Sequence, residues 1–498
     1  MTLACAQAAQ GAKAQPKSHK PRTIPVSVSL EASEPGPTVP QGFLGLSFEV
    51  AALPQIAGYA GHGNLVTLLR SLGPGVLRFG GITADEDIAW AGQAGDPPPW
   101  ASGALEPANL RGLGSLAAES GWHVLLTLGL GHFEPQAAAE EAAAARGALG
   151  ESLEAIELGN EPNAYARHGL RALPWTFVQY DEQVAAYRGA IEALAPGIPL
   201  AGPDTSGSSA YESWGLGEAI YQRPALLTGH HYPLGCNESP PPSIPRLLSP
   251  QIRQLEERSL RRYLFIAQES EVPFLMDETN SVSCGGVPGI SDTFASALWA
   301  LSFLTKSMSM GVAGINFQGN PVNCAGYTPL CAPTGEDAAA GELQPQPEWY
   351  ALLLARALIG ERPLPTRASS PDGADVVASA FLASDGALQV VVIDDDPPGA
   401  DKAAFALHVG SGFHGASVLS LTAPSPEALT GVRLGGQTVA PDGEWTQPGR
   451  LPRAPNKHGV ITVDVPPSSA ALLTISPVGN GAGGRAARRA GRADRPAR

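Results

Sequence analysis

The chain has 498 residues, of which 43% are hydrophobic and 16% are charged, and its formal net charge at pH 7 is -15. This length and composition predict a globular protein with one large domain and at least one smaller one. The acidic balance argues against nucleic acid as a partner, and against a polyanion bound on a broad basic surface. No apolar run approaches the ~20 residues of a membrane span, so no transmembrane segment is expected.

Both ends of the chain differ in composition from the rest. Residues 1–22 are rich in Ala, Gln and Lys and lack the apolar core of a secretory signal, which favours a disordered leader. Thr2-Leu3-Ala4-Cys5 loosely resembles the end of a bacterial lipoprotein signal, so a truncated export signal is an open alternative. We expect export in a bacterium (periplasm, surface or medium), with a cytoplasmic location as the alternative. Residues 478–498 carry six arginines among Gly and Ala and predict a disordered tail.

The first predicted strand, Thr23–Leu30, alternates polar and apolar residues and leads into a Pro-rich linker that ends at residue 40. From residue 41 to residue 355 short apolar strands alternate with helices, a pattern that predicts an α/β fold of the (β/α)8, or TIM barrel, type. A doubly wound open sheet is the alternative from pattern alone, but no G-x-G-x-x-G follows the first strand. The eight strand candidates are 43–48, 76–79, 124–128, 153–158, 198–201, 226–231, 274–276 and 312–317.

Beyond residue 355 the pattern changes to short strands separated by Gly, Pro and Asp turns, without helices. Residues 356–477 are therefore predicted to form an all-β sandwich. The strand Thr23–Leu30 has no place in the barrel, so we expect it to pair into this C-terminal sandwich.

Four of the five cysteines, Cys236, Cys284, Cys324 and Cys331, fall in predicted loops on one face of the barrel. These four cysteines could form two disulfides, in any of three connectivities, which would suit an exported enzyme. The sequence supports four free, buried thiols equally well. No C-x-x-C pair occurs, which argues against a zinc site.

Acidic residues follow two of the predicted barrel strands. Glu161 comes after 153–158, in the run LEAIELGNEPN, and Glu278 comes after 274–276. Catalytic groups of a barrel lie at the carboxyl ends of its strands, so both are expected on one face. Glycoside hydrolysis uses such a pair of carboxyl groups, ~5–5.5 Å apart in retaining enzymes and farther apart in inverting ones. A lone Glu after a strand is usually a solvated loop residue, so the pair carries the prediction.

Seven motifs extend this interpretation: LRFGG (77–81), IELGNEPN (156–163), GPD (202–204), GHHY (229–232), ETNSVSCGG (278–286), INFQG (315–319) and PEWYALLL (347–354). With these motifs in this order the chain resembles glycoside hydrolase family 79, the β-glucuronidase and heparanase family. The resemblance implies a retaining barrel enzyme whose C-terminal β-sandwich includes the N-terminal strand. It also implies a β-glucuronide or related substrate and no metal or organic cofactor.

The resemblance assigns roles residue by residue. Glu161 matches the acid/base of the family and Glu278 its nucleophile. Asn160 matches the residue that contacts the sugar 2-hydroxyl, and Tyr232 is similar to a tyrosine that holds the nucleophile in register. Gln318 is similar to a glutamine that contacts the substrate.

Two further residues of the first two strands are candidates. Glu49 stands where the family has an acidic residue that binds sugar hydroxyls, although it could instead only pair with Arg78. A buried Arg78 is expected beneath the substrate, bonded to Glu278 or Glu49. A scaffold arginine satisfied by backbone carbonyls is the alternative.

The chain departs from the family where the sugar is selected. Ser283 stands where glucuronide-specific members carry a tyrosine, while Gly285 and Gly286, which would donate N–H groups to the uronate, follow Cys284. The leading hypothesis is a retaining exo-β-glucuronidase that removes terminal glucuronic acid or a modified uronic acid. The alternatives are a heparanase-like endo-β-glucuronidase, which the acidic charge disfavours, and a non-catalytic carbohydrate-binding protein, which the presence of both glutamates disfavours. The oligomeric state stays open.

Overall fold

The computed structural model describes residues 22–31, 33–92 and 97–479. The predicted leader and tail lie outside these ranges, except for residues 22, 478 and 479. None of the helices in the described ranges combines the length and the apolar character that crossing a bilayer requires.

The strands and α-helices up to residue 355 follow one another in the predicted alternation. In chain order they are β1 (Thr23–Leu30), β2 (Leu44–Glu49), α1 (Leu53–Gly58), α2 (Leu65–Leu72), β3 (Val76–Gly80), α3 (Thr83–Glu86), β4 (Ile88–Trp90), β5 (Gly103–Leu105), α4 (Pro107–Ser120), β6 (His123–Leu128), α5 (Pro135–Leu149), β7 (Leu153–Leu158), α6 (Tyr165–His168), α7 (Phe177–Leu194), β8 (Leu200–Thr205), α8 (Ser208–Gly217), β9 (Leu226–His231), α9 (Ile244–Leu247), α10 (Pro250–Ser270), β10 (Phe274–Thr279), α11 (Phe294–Met310), β11 (Gly314–Gly319), β12 (Leu330–Cys331), α12 (Gly335–Ala340), β13 (Gln344–Pro345) and α13 (Pro347–Ala355).

Eight parallel strands close into a barrel in the order β2-β3-β6-β7-β8-β9-β10-β11, which then returns to β2. The predicted (β/α)8 fold is therefore confirmed. Several strands end later than predicted, and β8 and β10 extend the farthest beyond their predicted ends. β8 continues to Thr205, and β10 continues to Thr279 because Glu278 pairs with His230 of β9. Glu278 therefore lies on a strand rather than after one.

The inside of the barrel changes from apolar to charged along the strands. Val76, Leu125, Ala155, Ala201 and Leu275 form a buried apolar layer of their own. Alternate residues of a strand share a face, so the next inward positions on three of these strands fall two residues later. These positions are occupied by Arg78, Glu157 and Asp277, all fully buried.

The remaining strands build the C-terminal domain. They are β14 (Arg362–Leu364), β15 (Thr366–Ser369), β16 (Val376–Leu382), β17 (Leu388–Asp394), β18 (Lys402–His408), β19 (Phe413–Thr422), β20 (Arg433–Leu434), β21 (Arg453–Ala454), β22 (Asn456–Lys457), β23 (Val460–Val465) and β24 (Ser469–Pro477). One sheet has the order β15-β1-β18-β23-β22 and the other β14-β16-β17-β24-β19-β20, with β21 beside β19.

The N-terminal strand belongs to this second domain, as predicted. β1 pairs in parallel with β18, placing Val26 opposite Phe405, and antiparallel with β15. Val26 and Val28 are fully buried in a core shared by both sheets. The alternation of polar and apolar residues in TIPVSVSL thus places one face in the sandwich and the other outward. The proposed domain limits at residues 40, 355 and 477 remain predictions.

Candidate active site

Arg78 of β3 is the centre of the charged layer. Its side chain is fully buried, and its guanidinium reaches charged or amide groups from β7, β8 and β10 or the ends of these strands. The contacts are Nη1 to Glu278 Oε2 at 2.6 Å, Nη2 to Asp204 Oδ2 and Asn160 Oδ1 at 2.9 Å, and Nε to Glu157 Oε2 and Asp277 Oδ2 at 3.4 Å. Arg78 therefore binds side chains rather than backbone carbonyls, and it contacts Glu278 rather than Glu49.

Glu278 is fixed as an ionised carboxylate. Its Oε2 accepts from Arg78, and its Oε1 accepts from the Tyr232 hydroxyl at 2.8 Å. Burial by itself raises the pKa of Glu278, but the cations His230 and Arg78 outweigh burial and hold that pKa below its usual value. An anion held between two cations and a phenol is ready to act as a nucleophile without first losing a proton.

His230 lies at the end of β9 and was missed as a site residue by the sequence analysis. Its Nε2 contacts Asp204 Oδ1, and its Nδ1 lies 3.0 Å from Glu161 Oε1 and 3.7 Å from Glu278 Oε1. Burial lowers the pKa of His230, but Asp204, Glu278 and Asp277 outweigh burial and raise the pKa well above its usual value. The ring is therefore an imidazolium that joins the two candidate catalytic glutamates.

Glu161 stands in an unusual backbone conformation directly after β7. Its φ of 47° and ψ of 49° lie in the left-handed region, which is disfavoured for a residue with a side chain. Its N–H donates to Asp204 O at 3.0 Å, and its C=O accepts from Ala164 N at 2.8 Å. The following Pro162 is buried. These restraints aim the carboxyl group toward His230 while leaving 23% of the side chain exposed.

Asn160 connects Glu161 to the charged layer. Its side-chain oxygen accepts from Arg78, and its backbone N–H donates to Asp85 Oδ2 at 2.8 Å. The other oxygen of Asp85 accepts from the N–H groups of Leu130 and Gly131, both at 2.8 Å. One buried carboxylate thus ties together the chain segments that follow β3, β6 and β7.

Glu49 is the last residue of β2. Its Oε2 accepts from the N–H of Thr83 at 3.0 Å and from the Thr83 hydroxyl at 2.7 Å. Burial and the charge of Glu278 raise the pKa of Glu49, against the lowering effect of the Thr83 bonds. Gly81 is required here, because its φ is 73° and a Cβ atom would lie 2.2 Å from the Glu49 carboxylate.

One cavity of about 940 Å³ opens over these groups. Of the predicted site residues, Glu49, Asn160, Glu161, Tyr232, Glu278 and Ser283 line it. Arg78 lies beneath it. Gln318, Gly285 and Gly286 are not among its lining residues: Gln318 is buried on β11, and the two glycines follow Cys284 in a turn with positive φ angles.

Tyr327 is a further lining residue that the sequence analysis missed. Its ring stacks on Tyr232 with 5.7 Å between centroids, its hydroxyl lies 3.3 Å from that of Tyr232, and its N–H donates to Gly285 O at 3.1 Å. It lies in the long loop after β11, where the sequence has no periodic pattern of a strand or helix that would indicate a role for it.

Asp204, His230 and Asp277 have ligand atoms close enough together to hold a metal ion. The carboxyl groups of both aspartates already face Arg78, and Asp204 also faces the His230 imidazolium. A divalent cation would have to displace these cations, so the donor set does not suit a metal.

Comparison with known proteins shows which family and which proteins the chain resembles. A family described as "Glycosyl hydrolase family 79 C-terminal beta domain" matches residues 379–472. The chain is similar to a β-glucuronidase of Aspergillus niger, with 24% identity over 94% of this chain and 97% of that protein. The family match covers β17 to β23 and parts of β16 and β24, and the second similarity extends through the barrel.

Solved structures share the fold. A 4-O-α-L-rhamnosyl-β-D-glucuronidase of Fusarium oxysporum superposes with a TM-score of 0.72 and 20% identity, covering 91% of this chain and 99% of that one. A family 51 arabinofuranosidase of Xanthomonas axonopodis superposes with a TM-score of 0.65 and 15% identity, covering 91% and 100%. The barrel, the C-terminal β domain and the similarity along the chain together confirm the resemblance to glycoside hydrolase family 79, and with it the assignment as a glycoside hydrolase.

Proposed function

We propose that this protein is a retaining exo-β-glucuronidase, with Glu278 as the nucleophile and Glu161 as the general acid and base. The observation that carries the proposal is the convergence of both carboxyl groups on one imidazolium at the floor of one cavity. The similarity to a β-glucuronidase supports glucuronic acid, or a modified uronic acid, as the sugar.

The distance between the two glutamates supports retention. Their nearest oxygens lie 3.0 Å and 3.7 Å from the same nitrogen of His230. The two oxygens would lie ~6.7 Å apart only if they stood on opposite sides of this nitrogen. A single N–H group cannot point to both sides, so the oxygens are closer together than that. This upper bound includes the ~5–5.5 Å of retaining enzymes and excludes almost all of the ~6.5–9.5 Å range of inverting ones.

In the first step Glu278 would attack the anomeric carbon while Glu161 gives its proton to the departing aglycone oxygen. Arg78 and Tyr232 keep the attacking carboxylate ionised and aligned. In the second step Glu161 would take a proton from water, which then attacks the glycosyl-enzyme and releases the sugar with retained configuration. Asn160 would help to bind the sugar, because it lines the cavity and its side-chain oxygen is held in place by Arg78.

The protein is also proposed to act outside the cytoplasm. Cys236 is bonded to Cys284 and Cys324 to Cys331. Of the two alternatives left open by the sequence, the structure has the paired cysteines. Disulfides persist mainly in oxidising compartments, which supports export.

A panel of aryl β-glycosides tests the substrate. We expect the glucuronide to be hydrolysed faster than the galacturonide, glucoside and xyloside, with the β-anomer of the free sugar formed first in NMR spectra. A neutral sugar preferred over both uronides would refute the glucuronidase assignment. Oligosaccharides with terminal or internal glucuronic acid separate exo from endo action, and cleavage at the internal residue would contradict the exo proposal.

Substitutions test the two roles. Glu278→Gln should abolish turnover, whereas Glu269→Gln, at an exposed position of α10, is the matched control and should keep full activity. For Glu161→Ala, azide should restore turnover of substrates with good leaving groups and yield the β-glycosyl azide. Substantial activity in Glu278→Gln, or no azide rescue of Glu161→Ala, would contradict the respective assignment.

A further inference from the structure

Two disulfides lie in the loops that follow the last three barrel strands. Cys236 follows β9 and is bonded to Cys284, which follows β10. Cys324 and Cys331 close a short loop after β11, and this loop carries Tyr327. Ser283, Cys284 and Tyr327 all line the proposed substrate cavity beside Glu278. One wall of the cavity is therefore built from disulfide-bonded loops.

The segment Ser283–Gly286, here called the glycone turn, has an unusual backbone. Cys284, Gly285 and Gly286 have φ values of 61°, 85° and 87°. Glycine adopts this left-handed region without cost, but a residue with a side chain is disfavoured there. The surrounding structure must therefore hold Cys284 in place.

The restraint comes mainly from the loop after β9. Ser283 donates its N–H to Leu234 O at 3.0 Å, and the hydroxyl of Ser283 accepts from Cys236 N at 3.2 Å. The Cys236–Cys284 disulfide adds a covalent bond to these two hydrogen bonds, at the residue with the disfavoured backbone. On the other side the glycone turn is held by one hydrogen bond, from Tyr327 N to Gly285 O.

The nucleophile does not depend on this disulfide. Glu278 lies on β10 and is held by Arg78 of β3 and by Tyr232, which follows β9 directly. Loss of the disulfide would free the glycone turn while leaving the carboxylate and its partners in place. Binding of the sugar and the chemical step should therefore respond differently.

We propose that the Cys236–Cys284 disulfide is a specificity-determining element that holds the glycone turn in the shape that binds the sugar. The inference rests on the proposed function for the identity of that sugar, a uronic acid. The pair Cys236 and Cys284 acts through the turn, as positioning residues, and takes no part in the bond-breaking steps.

The first test compares Cys236→Ser/Cys284→Ser with the matched variant Cys324→Ser/Cys331→Ser. Removing the first disulfide should raise KM for an aryl β-glucuronide at least tenfold, keep kcat within threefold, and lower the preference over the glucoside about tenfold. The control should change KM less than threefold, because Tyr327 is also held by its stacking on Tyr232. An unchanged KM in the first variant, or equal effects in both variants, would overturn the proposal.

A second measurement avoids the risk that the first variant fails to fold. In folded Cys324→Ser/Cys331→Ser, Cys236–Cys284 is the remaining disulfide within the described part of the chain, and Cys284 is exposed to a reductant. Mild reduction should raise KM tenfold, and reoxidation should restore it. An unchanged KM once thiol labelling shows both cysteines reduced would refute the proposal.

The two proposals fail in distinguishable ways. The sugar preference of the wild-type enzyme alone decides whether the glucuronidase assignment stands. If another glycoside is preferred, the KM comparison on that glycoside still decides whether the disulfide shapes sugar binding.

Discussion

The substitution Asp85→Asn tests whether a buried carboxylate positions the proposed acid. Asp85 lies on α3 and is almost completely buried. It accepts three N–H groups at 2.8 Å, from Leu130, Gly131 and Asn160, and Asn160 immediately precedes Glu161. All three are donors, an arrangement that suits a carboxylate. An asparagine amide keeps one acceptor oxygen but presents an NH2 group in place of the other.

The expected magnitude follows from those contacts. Suppose that the amide oxygen of the introduced asparagine keeps the hydrogen bonds from the N–H groups of Leu130 and Gly131. Its NH2 group then faces the N–H of Asn160, and this buried donor has no acceptor. A hydrogen bond to a charged group contributes ~1.5–3 kcal/mol, and an unsatisfied buried donor costs a further ~1–3 kcal/mol. We therefore expect the free energy of unfolding to fall by about 2.5–6 kcal/mol. A shift of the acid by ~1 Å would reduce its contribution to the rate up to ~100-fold.

Leaving-group dependence is the assay. An unsubstituted phenol leaves only when Glu161 protonates its oxygen, whereas dinitrophenolate is a good enough leaving group to depart without a proton. In Asp85→Asn, kcat/KM should fall about 10- to 100-fold for the phenyl glucuronide and by less than threefold for the dinitrophenyl glucuronide. Asp87→Asn, two residues away and with a carboxylate that accepts from the Ser102 hydroxyl, is the matched control and should leave both values unchanged. An equal loss on both substrates would show that Asp85 does not act through the acid.

Three further changes have defined outcomes. Tyr232→Phe removes the hydroxyl that donates to Glu278, and kcat/KM should fall about 10- to 100-fold with an unchanged melting temperature. Glu141 is buried, and burial raises its pKa to about 8, so its destabilising effect grows from the unfolded-state pKa near 4.5 up to pH 8. Glu141→Gln should therefore flatten the decline of the melting temperature between pH 5 and pH 8, and parallel curves would contradict this. Arg253→Met leaves the buried Asp395 unpaired, which should lower the free energy of unfolding by about 2–4 kcal/mol in a denaturant titration and leave KM unchanged.

The barrel could be predicted because its strands are short apolar runs at regular spacing, and a buried parallel strand requires such a run. The residues at which the strands end could not be predicted from these runs. β10 includes Asp277 and Glu278, which belong to a strand only because they pair with β9 and face Arg78. Polar residues on a buried strand look like a loop until their partners are known.

The site shows the same difference between local and distant signals. Glu161 and Glu278 were predicted because each stands in a motif at a strand end. In the GHHY motif only the tyrosine was singled out, although His230 points inward and His231 packs outward against Phe303. Strand alternation would assign these two histidines to opposite faces, but it does not say which face is the interior.

The functions of Asp85 and Tyr327 depend on contacts between segments far apart in sequence. Asp85 accepts N–H groups 45, 46 and 75 residues later along the chain. Tyr327 reaches Tyr232 across 95 residues. No local period encodes such contacts, so a single sequence could not have indicated either role.

The ionisation of the charged layer follows from its composition. Four carboxyl groups surround Arg78, and His230 supplies a second positive charge, so two of the four can ionise without leaving a net buried charge. Burial, with Asp277 nearby, raises the pKa of Glu157 to about 7. Burial, with Asp204 nearby, raises that of Asp277 to about 6. These two keep their protons in mildly acidic solution, while the pKa of Glu278 is lowered. Glu278 thus keeps its negative charge beside the cavity, and raising the pH above 7 would add uncompensated charge beneath it, at a cost to both stability and alignment.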